Sequence, residues 1–272
     1  MAAESGSRVV ERRRLQRVYE GRDAGGVDAT RWSWMNPEAH WLDFTIQRFL
    51  CGSLASQGWT PQTIGRCRLL EVGCGTGQVL RWLHDAGARL LWGCEVLPWR
   101  VDQAARSTPF AHVVQADMGE LPFPDGTFDC VVQVMTFSSC LDAALRRQGA
   151  REMLRVLRDD GCLLWCDFKS GSYPAGDVLG MTARDIRALF PGARLDLDSF
   201  GVRPDWLGAM TSLMNQGLVR SLARRVPACR NAAWASRRPI RTFPRLLAAA
   251  LEWFPWATAY LGARIRRAPS GR

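Results

Sequence analysis

From Arg68 onward, short apolar runs alternate with stretches whose apolar positions recur at helical spacing, the pattern of βαβ units feeding a parallel sheet. Leu69 to Val72 predicts a first strand and Gln78 to Ala86 a helix. Leu90 to Val96 predicts a second strand, Pro98 to Arg106 a helix, His112 to Ala116 a third strand and Phe128 to Thr136 a fourth. Asp142 to Leu157 reads as a long amphipathic helix closed at Asp160-Gly161, a C-cap signal. Cys162 to Phe168 predicts a fifth strand, and Thr182 opens a helix that stops at Pro191-Gly192. Arg194 to Phe200 alternates as a sixth strand, and Tyr260 to Arg267 fits a last strand returning to the sheet.

The flanks read differently. Residues 1–18 are polar and arginine-rich, a helical or frayed lead-in, and Tyr19 to Met35 carries Gly and Trp without clear periodicity. Asn36-Pro37 is a helix-start signal, followed by helical spacing from Glu38 to Leu54. Residues 205–258 are rich in Leu, Ala, Trp and Arg with prolines at 227, 239, 244 and 255, the composition of a helical insertion. The pattern divides the chain into an N-terminal helical lid (1–65), an α/β core (66–204), a helical cover (205–258) and a last strand with its tail (259–272).

Composition narrows the class. The chain has 272 residues, 47% hydrophobic and 23% charged, an ordinary globular balance. The formal net charge is +10, and Lys169 is the only lysine among 36 cationic residues. A basic surface attracts anions, but a solvated basic face is the plainer reading. The nine cysteines form no C-x-x-C pair and sit mostly in apolar runs, which predicts reduced thiols and a cytoplasmic setting. The three histidines are scattered, so no metal site is expected. No uncharged apolar run is long enough for a transmembrane helix.

The candidate chemistry begins at Leu70-Glu71-Val72-Gly73-Cys74-Gly75-Thr76-Gly77-Gln78. Glycines between a strand and a helix allow a sharp turn and a close ligand approach, with helix amides aimed at the ligand. The spacing is G-x-G-x-G rather than the dehydrogenase G-x-G-x-x-G. Glu95 ends the second strand, where an acceptor-only carboxylate can take ribose hydroxyls. Asp117-Met118 follows the third.

Together with Leu121-Pro122-Phe123-Pro124-Asp125-Gly126-Thr127-Phe128-Asp129 and Arg155-Val156-Leu157-Arg158-Asp159-Asp160-Gly161, these segments resemble the class I S-adenosylmethionine-dependent methyltransferases, of the ubiquinone/menaquinone-biosynthesis type, over roughly residues 66–200. Asp159-Asp160 stands where that family usually has Pro-Gly. The resemblance implies a Rossmann-like α/β fold: a seven-stranded, mostly parallel sheet with helices on both faces, an N-terminal lid and a helical insertion before the last strand. It implies S-adenosylmethionine as cofactor, held by Glu71, Gly73, Cys74, Gly75, Gly77, Glu95, Val96, Asp117, Met118 and Gln133. An aromatic of the lid is expected on the methionine part of the cofactor, with Tyr19, Trp32 and Trp34 as candidates.

Acceptor chemistry belongs at the carboxyl ends of strands four and five. Met135, Ser138 and Ser139 follow strand four, and Asp167, Lys169 and Tyr173 end or follow strand five. Asp167 and Tyr173 are the candidate catalytic residues, Asp167 as general base or acceptor-orienting group and equally readable as a strand-end cap. The 205–258 segment suits acceptor selectivity or a homodimer contact, and Arg220, Arg224 and Arg225 can meet an anionic acceptor or simply solvent. The expected activity is methyl transfer to a small-molecule acceptor in natural-product metabolism. A SAM enzyme that cyclises or cleaves the aminobutyrate chain and releases methylthioadenosine is the alternative. Action on RNA or protein is permitted by the charge, yet Gln133-Val134-Met135-Thr136 replaces the N-P-P-Y-type signature of base methylation.

Overall fold

The computed structural model describes residues 6–24, 37–169, 177–202 and 258–267. The core elements alternate as the hydrophobic pattern requires: β1 (Arg68–Val72), α3 (Gln78–Asp85), β2 (Leu90–Glu95), α4 (Pro98–Ser107), β3 (His112–Gln115), β4 (Phe128–Val134), α5 (Thr136–Ser139), α6 (Ala143–Val156), β5 (Leu157–Phe168), α7 (Ala183–Leu189), β6 (Arg194–Val202) and β7 (Thr258–Arg266). Two helices precede them, α1 (Gly6–Ala24) and α2 (Pro37–Ser56). The expected helical cover at 205–258 lies outside the described residues except for Thr258, which opens β7.

The seven strands form one sheet in the order β3-β2-β1-β4-β5-β7-β6. β1 to β5 pair in parallel, while β7 is antiparallel to both β5 and β6. The sheet is therefore the mostly parallel, Rossmann-like one expected. Both faces are covered. Leu42, Ile46 and Leu50 of α2 and Leu80 and Leu83 of α3 pack on one side. Met153 of α6, with Ile186 and Phe190 in and after α7, packs on the other against Trp165 and Val131. The strand order reverses direction between β1 and β4, and at such a point the loops diverge and leave a crevice above the carboxyl ends.

Two boundaries depart from expectation. The long helix ends at Val156, and Asp160-Gly161 lies inside β5. Gly161 is needed there for contact rather than for capping: an added Cβ would stand 2.9 Å from the Asp129 carbonyl of the neighbouring strand. The fourth strand stops at Val134 because Met135 is left-handed (φ 58), the only non-glycine residue with positive φ among the described residues. Thr182 caps α7 through a capping box with Asp185, as its sequence position predicts.

The two segments around Leu121–Asp129 and Arg155–Gly161 are one physical unit. Arg155 donates to the Leu121 carbonyl (2.9 Å), the Phe123 carbonyl (2.8 Å), Asp125 (2.8 Å) and Glu152 (2.7 Å). Its own carbonyl accepts from Gly126 N at 2.9 Å. One guanidinium thus closes a loop whose backbone carbonyls have no ladder partner.

An aromatic stack joins β5, β7, β6 and α2. Phe168 lies 5.5 Å from Tyr260, Tyr260 5.7 Å from Phe200, and Phe200 4.7 Å from Phe49, all near-parallel. Gly262 makes room for it: an added Cβ would come within 2.5 Å of Phe49 Cε2 and 2.7 Å of Phe200. Gly262→Ala is expected to destabilise the fold by about 1–3 kcal/mol, because rigid rings on both sides must shift. Thermal unfolding measures it, and a melting temperature unchanged within a degree contradicts it. Among the described residues no helix is long and apolar enough to cross a membrane.

Candidate cofactor and acceptor site

A cavity of about 430 Å³ opens above the carboxyl ends of the parallel strands, floored by the glycine turn and roofed by α1, within the range of small-molecule sites. The turn is built for close approach. Gly73 sits at φ 72, and an added Cβ would fall 2.3 Å from Thr136 Oγ1. That threonine ties the two sides of the switch point by donating to the Val72 carbonyl at 2.9 Å. Gly75, at φ 55, has only the Arg100 guanidinium within 4 Å of where its Cβ would be, at 3.6 Å. Nothing but backbone lies between the turn and the cavity there.

Three acidic residues face this floor. Glu95 accepts from Gly75 N through Oε2 (3.1 Å) and from Val96 N and Leu97 N through Oε1 (2.9 and 3.0 Å). It therefore fixes the glycine turn and the β2–α4 turn against each other. Oε2 keeps a lone pair for a ligand hydroxyl. Asp117 accepts from Gly119 N at 2.7 Å through Oδ1, and Asp117, Met118 and Val96 all line the cavity. Glu71 is buried at the end of β1, and its Oε2 has no hydrogen-bond partner among the described residues. Burial pushes the Glu71 carboxyl up to about 8. Cys74 lines the cavity as a buried thiol pushed upward by desolvation, which leaves it a small hydrophobe rather than a nucleophile.

Glu71 gives the ligand-free protein a definite pH response. Its ordinary value is 4.5 and its folded value about 8, so the folded state holds a proton that the unfolded state has released. Stability must then fall as pH rises through that window. Asp167, also raised by burial to about 7, adds the same sign over the lower part. Denaturant unfolding between pH 5 and 8 is expected to show this decline, and Glu71→Gln should flatten it. Equal slopes for the two proteins would remove Glu71 as the source.

The structure separates residues that the sequence grouped together. Gln133 is fully buried and does not line the cavity. Its Nε2 donates to the Cys166 carbonyl and to Asp167 Oδ2, both 3.2 Å, and its Oε1 accepts from Thr136 N at 3.1 Å. Asp167 is likewise fully buried and away from the cavity lining. It accepts from Ser138 N at 3.2 Å, from Gln133 and from Phe168 N at 3.2 Å. In this arrangement Gln133 and Asp167 brace the β4–α5 turn, and neither lines the cavity. Tyr173, Trp32 and Trp34 lie outside the described residues.

The sequence placed a helical lid with Tyr19 over the site but did not single out the charged residues that line its inner face. Arg8, Glu11, Arg12, Leu15, Tyr19 and Arg22 of α1 line the cavity at helical spacing. The stripe is nearly all polar, so hydrophobic periodicity could not reveal it; helical spacing of the charged residues was the usable signal. Glu11 accepts from Leu141 N (2.7 Å) and from Arg14 (2.9 and 2.8 Å), while Arg14 also donates to the Ser139 carbonyl. Arg22 pairs with Asp177 at 2.6 Å. Asp43 of α2 was missed too; it lines the cavity and accepts from Gln78 Nε2 at 2.9 Å.

Tyr19 is in the cavity, but its ring is engaged. The Arg100 and Arg22 guanidinium carbons stand 3.9 and 5.0 Å from its centroid. A third cation on the same π system would face two like charges, which argues against the expected cation–π contact with a sulfonium. No group of three or more metal-ligating side chains occurs among the described residues.

The family described as "Methyltransferase domain" matches residues 70–165, the stretch from β1 into β5. A malonyl-(acyl-carrier protein) O-methyltransferase of Pseudescherichia vulneris is 32% identical over 106 residues, covering 39% of this chain and 41% of that enzyme. A 27-O-demethylrifamycin SV methyltransferase of Amycolatopsis mediterranei is 31% identical over 141 residues, covering 49% and 50%. The chain thus spans half or less of the length of these relatives. Among solved structures, an S-adenosylmethionine-dependent methyltransferase from Mesorhizobium loti superposes with a TM-score of 0.51 over 79% of this chain and 96% of that one, at 14% identity.

Proposed function

We propose that this chain, which belongs to the class I S-adenosylmethionine-dependent methyltransferases, binds S-adenosylmethionine over the Gly73–Gly77 turn and passes its methyl group to a small-molecule acceptor. One observation carries this reading: a bare glycine turn, the hydrogen-bonded Glu95 and the unpartnered Glu71 Oε2 share one cavity.

The residues present fit the cofactor. Glu95 suits the ribose hydroxyls, because an ionised carboxylate only accepts. Asp117 and Met118 suit the adenine edge and face. Glu71, a buried carboxyl whose Oε2 has no hydrogen-bond partner among the described residues, suits the cationic amino end, where a positive charge would offset its burial. Gly73, Cys74, Gly75, Gly77 and Val96 shape the floor. When bound, the cofactor supplies a methyl group activated on a sulfonium.

The chain's own task is then placement. The α1 roof excludes water, and the braced β4–α5 turn fixes the acceptor wall, so the rate gain comes from orientation more than from a strong base. The two curated relatives named above act, by their names, on malonyl-(acyl-carrier protein) and on a demethylated rifamycin. They support a biosynthetic small-molecule acceptor. Calorimetric titration with S-adenosylmethionine, S-adenosylhomocysteine and methylthioadenosine tests the reading. Micromolar binding of the first two supports it; preference for methylthioadenosine points to cleavage of the aminobutyrate chain, and no binding refutes the cofactor site.

A further inference from the structure

At the carboxyl end of β4, two hydroxyls meet inside the cavity. Tyr19 Oη of the roof lies 3.0 Å from Ser139 Oγ of α5, and both residues line the cavity. The direction of this bond follows from counting hydrogens. Ser139 Oγ is 2.9 Å from the Met135 carbonyl, which can only accept, so the single serine hydrogen goes there. Tyr19 must therefore donate to Ser139, and its remaining lone pairs are what the pair can offer a ligand. Met135, held left-handed at φ 58, aims that carbonyl, and such strain commonly marks a site with a function.

The neighbouring wall is apolar. Phe168, Val178 and Met135 line the cavity, with Phe168 backed by the stacked Tyr260 ring at 5.5 Å.

We propose that Tyr19 Oη orients the methyl acceptor by accepting a hydrogen bond from its nucleophilic group. The acceptor class is then an apolar, preferably aromatic, body bearing a hydroxyl or amine, and carboxylates are disfavoured because they bring no hydrogen to an oxygen that has already spent its own. The inference rests on the methyltransferase reading, and it makes Tyr19 a positioning residue for the acceptor rather than a partner of the sulfonium. The nucleophile's proton stays on the acceptor while it is held, and Tyr19 gains none.

Phenol, aniline and benzoate share one ring and differ only at the head group. They can be titrated by saturation-transfer NMR into the full chain saturated with S-adenosylhomocysteine. Phenol and aniline are expected to bind about fivefold or more tighter than benzoate, the worth of one hydrogen bond. Tyr19→Phe should abolish that preference while S-adenosylhomocysteine affinity stays within about twofold of wild type. Ser139→Ala releases the tyrosine hydrogen for donation to the ligand, so it should strengthen benzoate, a change that mere loosening of the roof would not produce. If only one of phenol and aniline shows the preference, it sets the acceptor atom. Benzoate binding as well as both, or a preference that survives Tyr19→Phe, overturns the proposal alone. Failure of the wild type to bind S-adenosylhomocysteine overturns it together with the cofactor reading.

Discussion

Glu95→Ala is expected to weaken S-adenosylmethionine and S-adenosylhomocysteine binding by about 100-fold or more. Two effects add. The carboxylate holds Gly75 N, at 3.1 Å, and on the proposed reading accepts the ribose hydroxyls. Hydrogen bonds to a charged partner contribute about 1.5–3 kcal/mol each, so losing two ribose bonds accounts for the whole factor. Removal also frees Gly75, Val96 and Leu97 amides that Glu95 satisfies, and the floor of the cavity loses its shape. Glu95→Gln should recover little, because its amide nitrogen would meet backbone donors. Calorimetry on both variants measures this, with circular dichroism to confirm that the fold is retained. Affinity within threefold of wild type would place the ribose elsewhere.

The second large effect is on stability. Asp167→Ala should destabilise the protein by about 3 kcal/mol, because Ser138 N would be left buried without its acceptor and Gln133 Nε2 would keep only the Cys166 carbonyl. In a chain of this size that lowers the melting temperature by roughly 6–12 °C. Asp167→Leu should do no better, since it fills the space without accepting a bond. An Asp167→Ala protein that keeps its full stability would put Asp167 back among the residues free to act on a ligand. A methyl-transfer pH profile that loses one titration in Asp167→Asn, at unchanged stability, would do the same.

These two carboxylates show where sequence is legible. Both end a strand of the parallel sheet, and both read as site residues from position alone. For Glu95 the glycine turn beside it in space is announced by its own spacing, Gly73-Cys74-Gly75-Thr76-Gly77. For Asp167 nothing local gives the side chain's direction. β5 is buried on both faces from Gly161 to Phe168, so it reads as a continuous apolar run without the alternation that would tell cavity side from core side. The same holds for Gln133 in β4, buried beside Val131 and Val132.

The sequence by itself determined the order and type of the core elements and the glycine turn, while the single seven-stranded sheet and the acidic residues around the turn were implied by the family resemblance. The elements and the turn are set by local rules: apolar periodicity, capping and the need for glycine where φ is positive. Only the tertiary structure decided that Asp167 and Gln133 brace a turn, that two guanidiniums approach the Tyr19 ring, and that a polar stripe of α1 roofs the cavity. Each depends on contacts between residues far apart in the chain, Arg14 with Ser139 or Glu11 with Leu141. The α1 roof also buries charge, which no hydrophobic pattern records; its inward face is stabilised by long-range pairing instead of by apolar area.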